Sequence, residues 1–217
     1  MLFDLDDTLL DRDKAVEKMF SVILQECYGE VDLSVQNEML HTFKEYDFRS
    51  YGNSDKVKVF ESLFDDFPPK YRLPGHSIMD FWNQHFPDCF SINQDTLHIV
   101  NQIKIHAKVG IITNGFTQRQ KAKIANTHLD SCFDMIMISD EVGYSKPDIR
   151  IFELALNKIG VQPEAALFVG DDLEKDIGGC QNANIKGIWF NPRRMRNDTD
   201  IKPFAEIHSL DELLIMI

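Results

Sequence analysis

The chain has 217 residues, of which 43% are hydrophobic and 27% are charged, so it has the composition of an ordinary globular protein and the length of one domain or of a domain with a large insertion. Its 35 acidic residues outnumber its 23 basic residues and give a net charge of −12, which disfavours nucleic-acid polymers and anionic membranes as partners because both would repel it. There is no apolar run long enough to span a bilayer, no signal peptide, and no CxxC pair among the four scattered cysteines; these features predict a cytoplasmic protein with reduced thiols.

The first part of the chain is predicted to be helical after one short strand. Residues 2–4 are predicted to be the end of a buried strand, because the apolar Leu2 and Phe3 run into the acidic sequence DLDDT. A helix begins near Asp13, because apolar residues from Ala15 to Cys27 recur three and four positions apart. Further helices are predicted around residues 34–48, 54–66 and 76–86. We find no convincing strand between residues 13 and 92, so this segment is predicted to be a self-contained helical unit.

From about residue 95 onward, short apolar runs alternate with helical patterns. Strands are predicted at residues 108–113, 134–139, 166–170, 186–190 and 205–209. Helices are predicted at residues 95–106, 117–129, 148–159, 174–183 and 210–217. This alternation is typical of an α/β fold with a Rossmann-like parallel sheet covered by helices on both faces. The opening strand belongs to the same sheet, so the helical unit is predicted to be an insertion after the first strand.

Polar residues lie beyond the carboxyl ends of four of the predicted strands. They are Asp4 and Asp6, Thr113 and Asn114, Lys146, and Asp171 with Asp176. Ligands of parallel sheets bind beyond these strand ends, so we expect these side chains to form one site. Taken singly, each motif has an ordinary structural interpretation as a helix cap, a turn or a surface lysine. Their joint occurrence at successive strand ends favours a functional site.

Four motifs in the chain resemble, in order, those of the haloacid dehalogenase-like (HAD) hydrolase superfamily. They are DLDDT (4–8), IITN (111–114), GYSKPD (143–148) and GDDLEKD (170–176). The resemblance is to the phosphatase branch, which carries a helical cap inserted after the first strand. It implies a Rossmann-like catalytic core formed by residues 1–12 and 93–217, and a helical cap domain formed by residues 13–92.

The resemblance implies a Mg²⁺-dependent phosphatase that hydrolyses a small phosphomonoester through an aspartyl-phosphate. Asp4 would be the nucleophile, and Asp6 would protonate the leaving group and then activate water. Mg²⁺ prefers oxygen ligands, and the resemblance assigns it the Asp4 carboxylate, the Asp6 backbone carbonyl and Asp171. Asp176 is implied to orient a metal-bound water or Lys146.

The resemblance also implies which residues contact the phosphoryl group. Thr113 and the backbone at Asn114 would donate hydrogen bonds to its oxygens. Lys146 would bring a positive charge beside both Asp4 and the group being transferred, so it counts as phosphate-binding and catalytic. The bound cation and this lysine would together offset the repulsion among the clustered aspartates.

Several alternatives remain open from the sequence. A phosphosugar mutase uses the same two aspartates, whereas a haloacid dehalogenase does not need the acid Asp6 because halide leaves without a proton. A non-enzymatic alternative is a phosphorylation-dependent binding module. The stretch from GIITNGF to EVGYSKPDIRIF (110–152) resembles bacterial nucleotidases, so the expected substrates are nucleoside monophosphates, with sugar phosphates as a second class. Within the cap, Arg49, Tyr51 and Trp82 could serve either the ligand or the packing of the cap itself. The sequence does not predict the oligomeric state.

Overall fold

The computed structural model of the protein describes residues 1–50 and 55–216. The chain forms two compact units: Met1–Asp11 with Ile92–Ile217, and Arg12–Ser91. The strands are β1 (Leu2–Phe3), β2 (Gly110–Thr113), β3 (Met135–Ile138), β4 (Leu167–Gly170), β5 (Lys186–Phe190) and β6 (Ala205–Ile207). The α-helices of the described residues are α1 (Arg12–Ile23), α2 (Leu33–Arg49), α3 (Val57–Asp66), α4 (Gly75–His85), α5 (Gln94–His106), α6 (Thr117–Asn126), α7 (Ser139–Val142), α8 (Ile149–Ile159) and α9 (Gly179–Asn182).

The unit that contains both chain termini is built on a parallel sheet of six strands. Their order is β3-β2-β1-β4-β5-β6, and every neighbouring pair is parallel. Leu2 of β1 is in register with Gly110 of β2 on one side and with Phe168 of β4 on the other. The chain therefore builds the sheet outward from β1 in both directions. Such a reversal of strand order creates a crevice beyond the strand ends, where ligands of α/β proteins bind.

The central strands are buried because their residues are apolar without alternation. All four residues of β2 are buried, and so are both residues of β1. A strand that is covered on both faces needs apolar side chains on both, which explains why these runs are continuous rather than alternating. The rings of Phe152 on α8 and Phe168 on β4 meet edge to face with their centroids 5.3 Å apart, so this helix packs directly on the sheet.

The second unit, Arg12–Ser91, is helical and is held together by aromatic side chains. Phe60 of α3 contacts Phe43, Phe64 and Trp82 through edge-to-face ring pairs whose centroids lie 5.8 to 6.3 Å apart. Trp82 also stacks on Phe86 at 4.1 Å. Burial of these large rings supplies a hydrophobic core of its own to a segment that contains no strand among its described residues.

The predicted fold class is confirmed: the protein is an α/β protein with a six-stranded parallel sheet and an N-terminal helical region. Two predicted helices differ in detail. Residues 174–183 form a π-helical turn, Leu173–Gly178, followed by α9, and the C-terminal segment forms a 3-10 helix, Leu210–Ile215. No helix in the described part of the chain is long and apolar enough to cross a membrane.

Candidate active site

Three carboxyl groups meet at the carboxyl ends of two adjacent strands. Asp4 follows β1, Asp171 follows β4, and Asp176 lies in the π-helical turn that comes after Asp171. One carboxylate oxygen from each of the three lies within 4.8 Å of those of the other two. These were three of the predicted site residues, and the pairing of β1 with β4 brings them together although they are far apart in the sequence.

Lys146 lies between two of these carboxylates. Its Nζ donates to Asp4 Oδ1 at 2.5 Å and to Asp176 Oδ1 at 2.7 Å. The side chain is only 2% exposed, and burial alone would lower its pKa. Asp176 and Asp4 outweigh burial and raise the pKa of Lys146 above its ordinary value, so the lysine stays positively charged.

If ionised, the carboxyl groups of the cluster would carry more negative charge than one lysine can balance. Burial raises the pKa of Asp4 to about 7, with Lys146 opposing the shift and Asp176 adding to it. Burial, followed by repulsion from Asp4, raises the pKa of Asp171 to about 9. Ionising Asp4 and Asp171 together therefore needs a further positive charge. The donors are all oxygens, which are the ligands that Mg²⁺ prefers, so this set of residues fits a magnesium ion.

Hydrogen bonds hold the two acidic residues beyond β4 in place. Thr8 Oγ1 donates to Asp171 Oδ1 at 3.3 Å, and Trp189 Nε1 donates to the backbone oxygen of Asp171 at 2.8 Å. The second oxygen of Asp176 accepts from the backbone N–H of Asp172 at 3.1 Å. Asp172 caps the π-helical turn with its side chain, as its position before a helical segment predicts.

Asn114, at the end of β2, fixes the backbone of the catalytic lysine candidate. Its Nδ2 donates to the carbonyl oxygen of Lys146 at 2.8 Å, and its Oδ1 accepts from the N–H of Lys146 at 2.9 Å. The Lys146–Pro147 peptide bond is cis. The side chain of Asn114 thus positions Lys146, whereas its predicted contact with phosphate involves the backbone and remains a prediction.

Two polar residues that were not predicted from the sequence also lie at the site. Gln120 and Lys123 of α6 contact the side chain of Asp6, and Gln120 also contacts Thr113. Gln120 is 2% exposed and Lys123 is 4% exposed. The sequence contained a signal for both residues, namely two polar side chains on a helical face that also carries the buried Ile124. Apolar side chains are expected on such a face.

Two of the three residues considered for the cap have partners within the helical unit itself. Trp82 is buried in the aromatic core of the helical unit, where it stacks on Phe86. Arg49 is exposed and pairs with Glu45 one helical turn away. Tyr51 lies outside the described residues.

The chain is similar in sequence and in fold to known proteins. The model of the haloacid dehalogenase-like hydrolase family matches residues 1–190. The pyrimidine 5'-nucleotidase YjjG of Escherichia coli is 30% identical over 231 residues, which cover 98% of this chain and 95% of that protein. The glyceraldehyde 3-phosphate phosphatase of Pyrococcus furiosus is 32% identical over 221 residues, covering 99% and 90% of the two chains. The solved structure of the HAD-hydrolase YfnB from Bacillus subtilis, bound to magnesium, has a TM-score of 0.81 at 22% identity and covers 99% of this chain and 96% of that one.

Proposed function

We propose that this chain, which belongs to the haloacid dehalogenase-like hydrolases and is a phosphatase of that family, hydrolyses small phosphomonoesters through an aspartyl-phosphate with the help of Mg²⁺. One observation carries the proposal. The charged Lys146 donates to Asp4 and Asp176 at the strand ends, and Asp171 completes a cluster of oxygen donors. In this proposal residues 1–12 and 93–217 are the catalytic core, and residues 13–92 are the cap domain.

Asp4 acts as the nucleophile in this mechanism. Its carboxylate oxygen attacks phosphorus while the bond from phosphorus to the leaving oxygen breaks, which gives an aspartyl-phosphate. Asp6 gives its proton to the leaving oxygen, so the alcohol departs neutral. Water then attacks the phosphorus and loses a proton to Asp6, which releases phosphate and restores both carboxyl groups.

Three residues of the chain bind and orient the phosphoryl group. Thr113 and the backbone at Asn114 donate hydrogen bonds to its oxygens, and Lys146 offsets its negative charge beside Asp4. The reciprocal hydrogen bonds between Asn114 and the backbone of Lys146 support this arrangement, because they fix one member of the set relative to another. Groups that are oriented before the reaction need no reorganisation in the transition state.

The carboxylates of Asp4 and Asp171 and the backbone carbonyl of Asp6 would hold Mg²⁺. When bound, the ion supplies positive charge that neutralises the phosphoryl oxygens. Asp176 orients Lys146, in line with the hydrogen bond of 2.7 Å between them. The raised pKa values of Asp4 and Asp171 support this assignment, because they reflect burial and mutual repulsion that a cation relieves.

The substrate is proposed to be a small phosphorylated metabolite, with nucleoside monophosphates favoured and sugar phosphates next. Similar proteins include a pyrimidine 5'-nucleotidase and a glyceraldehyde 3-phosphate phosphatase, at 30% and 32% identity. The two proteins are named for different substrate classes, and their identities to this chain are nearly equal. The stretch of the core from GIITNGF to EVGYSKPDIRIF (110–152) resembles nucleotidases that cleave nucleoside monophosphates, and this resemblance gives these substrates their priority.

The test is phosphate release from nucleoside monophosphates, sugar phosphates, glyceraldehyde 3-phosphate and p-nitrophenyl phosphate, with Mg²⁺ and with EDTA. We expect turnover that needs Mg²⁺ and falls by at least about 10³-fold in Asp4→Asn, because the nucleophile is lost. The exposed Asp130 provides a matched control, and Asp130→Asn is expected to keep full activity. Halide release from 2-chloropropionate without phosphate release would contradict the proposal, and so would full activity in Asp4→Asn.

A further inference from the structure

The side chain of Asp6 is held by a buried lysine of helix α6. Lys123 Nζ donates to Asp6 Oδ1 at 2.9 Å and to Asp6 Oδ2 at 2.8 Å. The Lys123 side chain is 5% exposed and that of Asp6 is 16% exposed, so water does not screen this ion pair strongly. One ammonium group in contact with both carboxylate oxygens restricts rotation of the carboxylate about its last bond.

Gln120, one turn earlier on α6, joins Asp6 to the proposed phosphate-binding hydroxyl. Its Nε2 donates to Asp6 Oδ2 at 3.1 Å and to Thr113 Oγ1 at 2.7 Å. The reversed amide would direct its oxygen at a carboxylate and at the carbonyl of Asn114, which is repulsive, so the nitrogen faces Asp6. Thr113 Oγ1 accepts from Gln120 at 2.7 Å and donates its own proton to the backbone oxygen of Asn114 over a long 3.4 Å, so a phosphoryl oxygen would take that proton in exchange for this weak contact.

The backbone beside this pair is shaped to admit the glutamine. Gly115 has φ +141°, a backbone conformation that residues with a side chain rarely adopt. A Cβ at this position would lie 3.2 Å from Gln120 Cγ. A glycine at this position therefore allows the glutamine to reach both Thr113 and Asp6.

Packing alone does not explain a charge at position 123. A methionine would fill a similar volume without the cost of removing an ammonium group from water. A buried ammonium group is offset in energy where it pairs with a carboxylate, and Lys123 pairs with that of Asp6 in this structure.

We propose that Lys123 and Gln120 are positioning residues that hold the Asp6 carboxyl group beside the phosphoryl site for proton transfer. This inference rests on the proposed function, in which the Asp6 proton goes to the leaving oxygen as the phosphorus–oxygen bond breaks and is replaced by a proton from the attacking water. The contacts of both oxygens with Lys123 belong to ionised Asp6, the form that accepts the proton of water; in the protonated form one oxygen carries the proton and the other keeps its contact with Lys123. Lys123 and Gln120 take no part in bond making. They act through the orientation of Asp6, and Gln120 also orients Thr113.

The test compares phenyl phosphate with p-nitrophenyl phosphate, whose para nitro group makes the leaving oxygen depend less on a proton. The value of kcat/KM reports the steps through departure of the leaving group. Asp6→Asn defines the effect of losing the acid: a larger loss for phenyl phosphate than for p-nitrophenyl phosphate. We expect Lys123→Met to change the ratio of the two kcat/KM values in the same direction, by about tenfold, because a misplaced catalytic group costs up to about 10²-fold.

Matched variants separate positioning from stability. Lys123→Arg keeps the charge and is expected to recover part of the ratio. Lys121→Met removes an exposed lysine of the same helix, which pairs with Glu141 at 2.9 Å, and is expected to keep the wild-type ratio. Circular dichroism and thermal unfolding confirm that each variant is folded. If Lys123→Met does not fold, the same ratio measured on Gln120→Met decides.

Three results would overturn the inference. Equal fold losses for both substrates in a folded Lys123→Met, which leave the ratio unchanged, would reveal a purely structural role. A wild-type ratio in Asp6→Asn would remove the acid role of Asp6, and with it the need to position that residue. A wild-type protein inactive on both substrates would instead refute the proposed function, together with this inference.

Discussion

At Lys146, one ammonium group serves two buried carboxylates, so its removal affects stability as well as chemistry. The side chains of Lys146 and Asp176 are 2% and 1% exposed, and that of Asp4 is 11% exposed. Breaking a buried ion pair by removing one partner leaves a charge without compensation, which is more costly than replacing the whole pair by apolar groups.

We therefore predict that Lys146→Met lowers the free energy of unfolding by about 3–5 kcal/mol in the absence of Mg²⁺. Urea unfolding measures this difference. The control is Lys175→Met, because Lys175 is 42% exposed and pairs with Asp172 at the surface, where such a pair contributes about 0–1 kcal/mol. Equal losses in the two variants would contradict the prediction that burial makes the Lys146 pairs more important.

Single residues could be predicted where a motif marks the end of a strand. Asp4, Asp171 and Lys146 were predicted on that basis. In the structure Lys146 is hydrogen-bonded to Asp4, and carboxylate oxygens of Asp4 and Asp171 lie within 4.8 Å of each other. Gln120 and Lys123 were not, because their importance depends on which face of α6 packs toward Asp6. A helical face can be found from sequence, but its neighbour is fixed only by tertiary packing.

Between strand β4 and the π-helical turn, one glycine controls how closely two elements approach. A Cβ at Gly170 would lie 2.6 Å from Asp176 Cβ, a separation that real Cβ atoms do not tolerate. The turn returns against the end of the strand at this point and brings Asp176 to Lys146. The glycine of the sequence GDD is thus required by the close packing of the turn on the strand, and it is also part of the fourth motif.

We predict that Gly170→Ala destabilises the protein by about 1–3 kcal/mol, since the added methyl group displaces Asp176 or the strand. Phosphatase activity is expected to fall as well, because Lys146 loses one of its two partners. The control is Gly75→Ala at the start of α4, where the nearest atom to an added Cβ is Glu61 Oε1 at 3.5 Å, an ordinary contact. Chemical unfolding of both variants checks the difference; a Gly170→Ala protein as stable as Gly75→Ala would disprove the close approach.

Elements were predicted better in type than in detail. Strand β5 was predicted with its observed bounds, whereas the strand predicted at residues 108–113 begins at Gly110. Periodicity identifies an element but does not define its first and last hydrogen bonds. The π-helical turn after β4 also has no periodic signal, because its local geometry follows from the contact of Asp176 with the strand.

On the scale of the whole molecule, family and fold class were predicted from motif order and from the alternation of helices and strands. The match of residues 1–190 to haloacid dehalogenase-like hydrolases confirms the family. The substrate does not follow from the same features. The four motifs describe transfer of the phosphoryl group, which is common to many substrates, and carry no information about the rest of the molecule that bears it.

Because the net charge is −12, any cation is expected to stabilise the folded protein by screening its acidic surface. The effect of Mg²⁺ bound at a specific site must therefore be measured apart from this screening. We predict that Mg²⁺ at about 100 times its Kd stabilises the native protein by about 2.7 kcal/mol, which corresponds to a rise in Tm of about 5–10 °C. Calorimetry measures the shift, with NaCl at equal ionic strength as the reference. Asp171→Asn removes one carboxylate of the cluster and is expected to abolish the excess over NaCl. The same shift with NaCl, or an undiminished shift in Asp171→Asn, would mean that the ion acts on the acidic surface as a whole rather than at the strand ends.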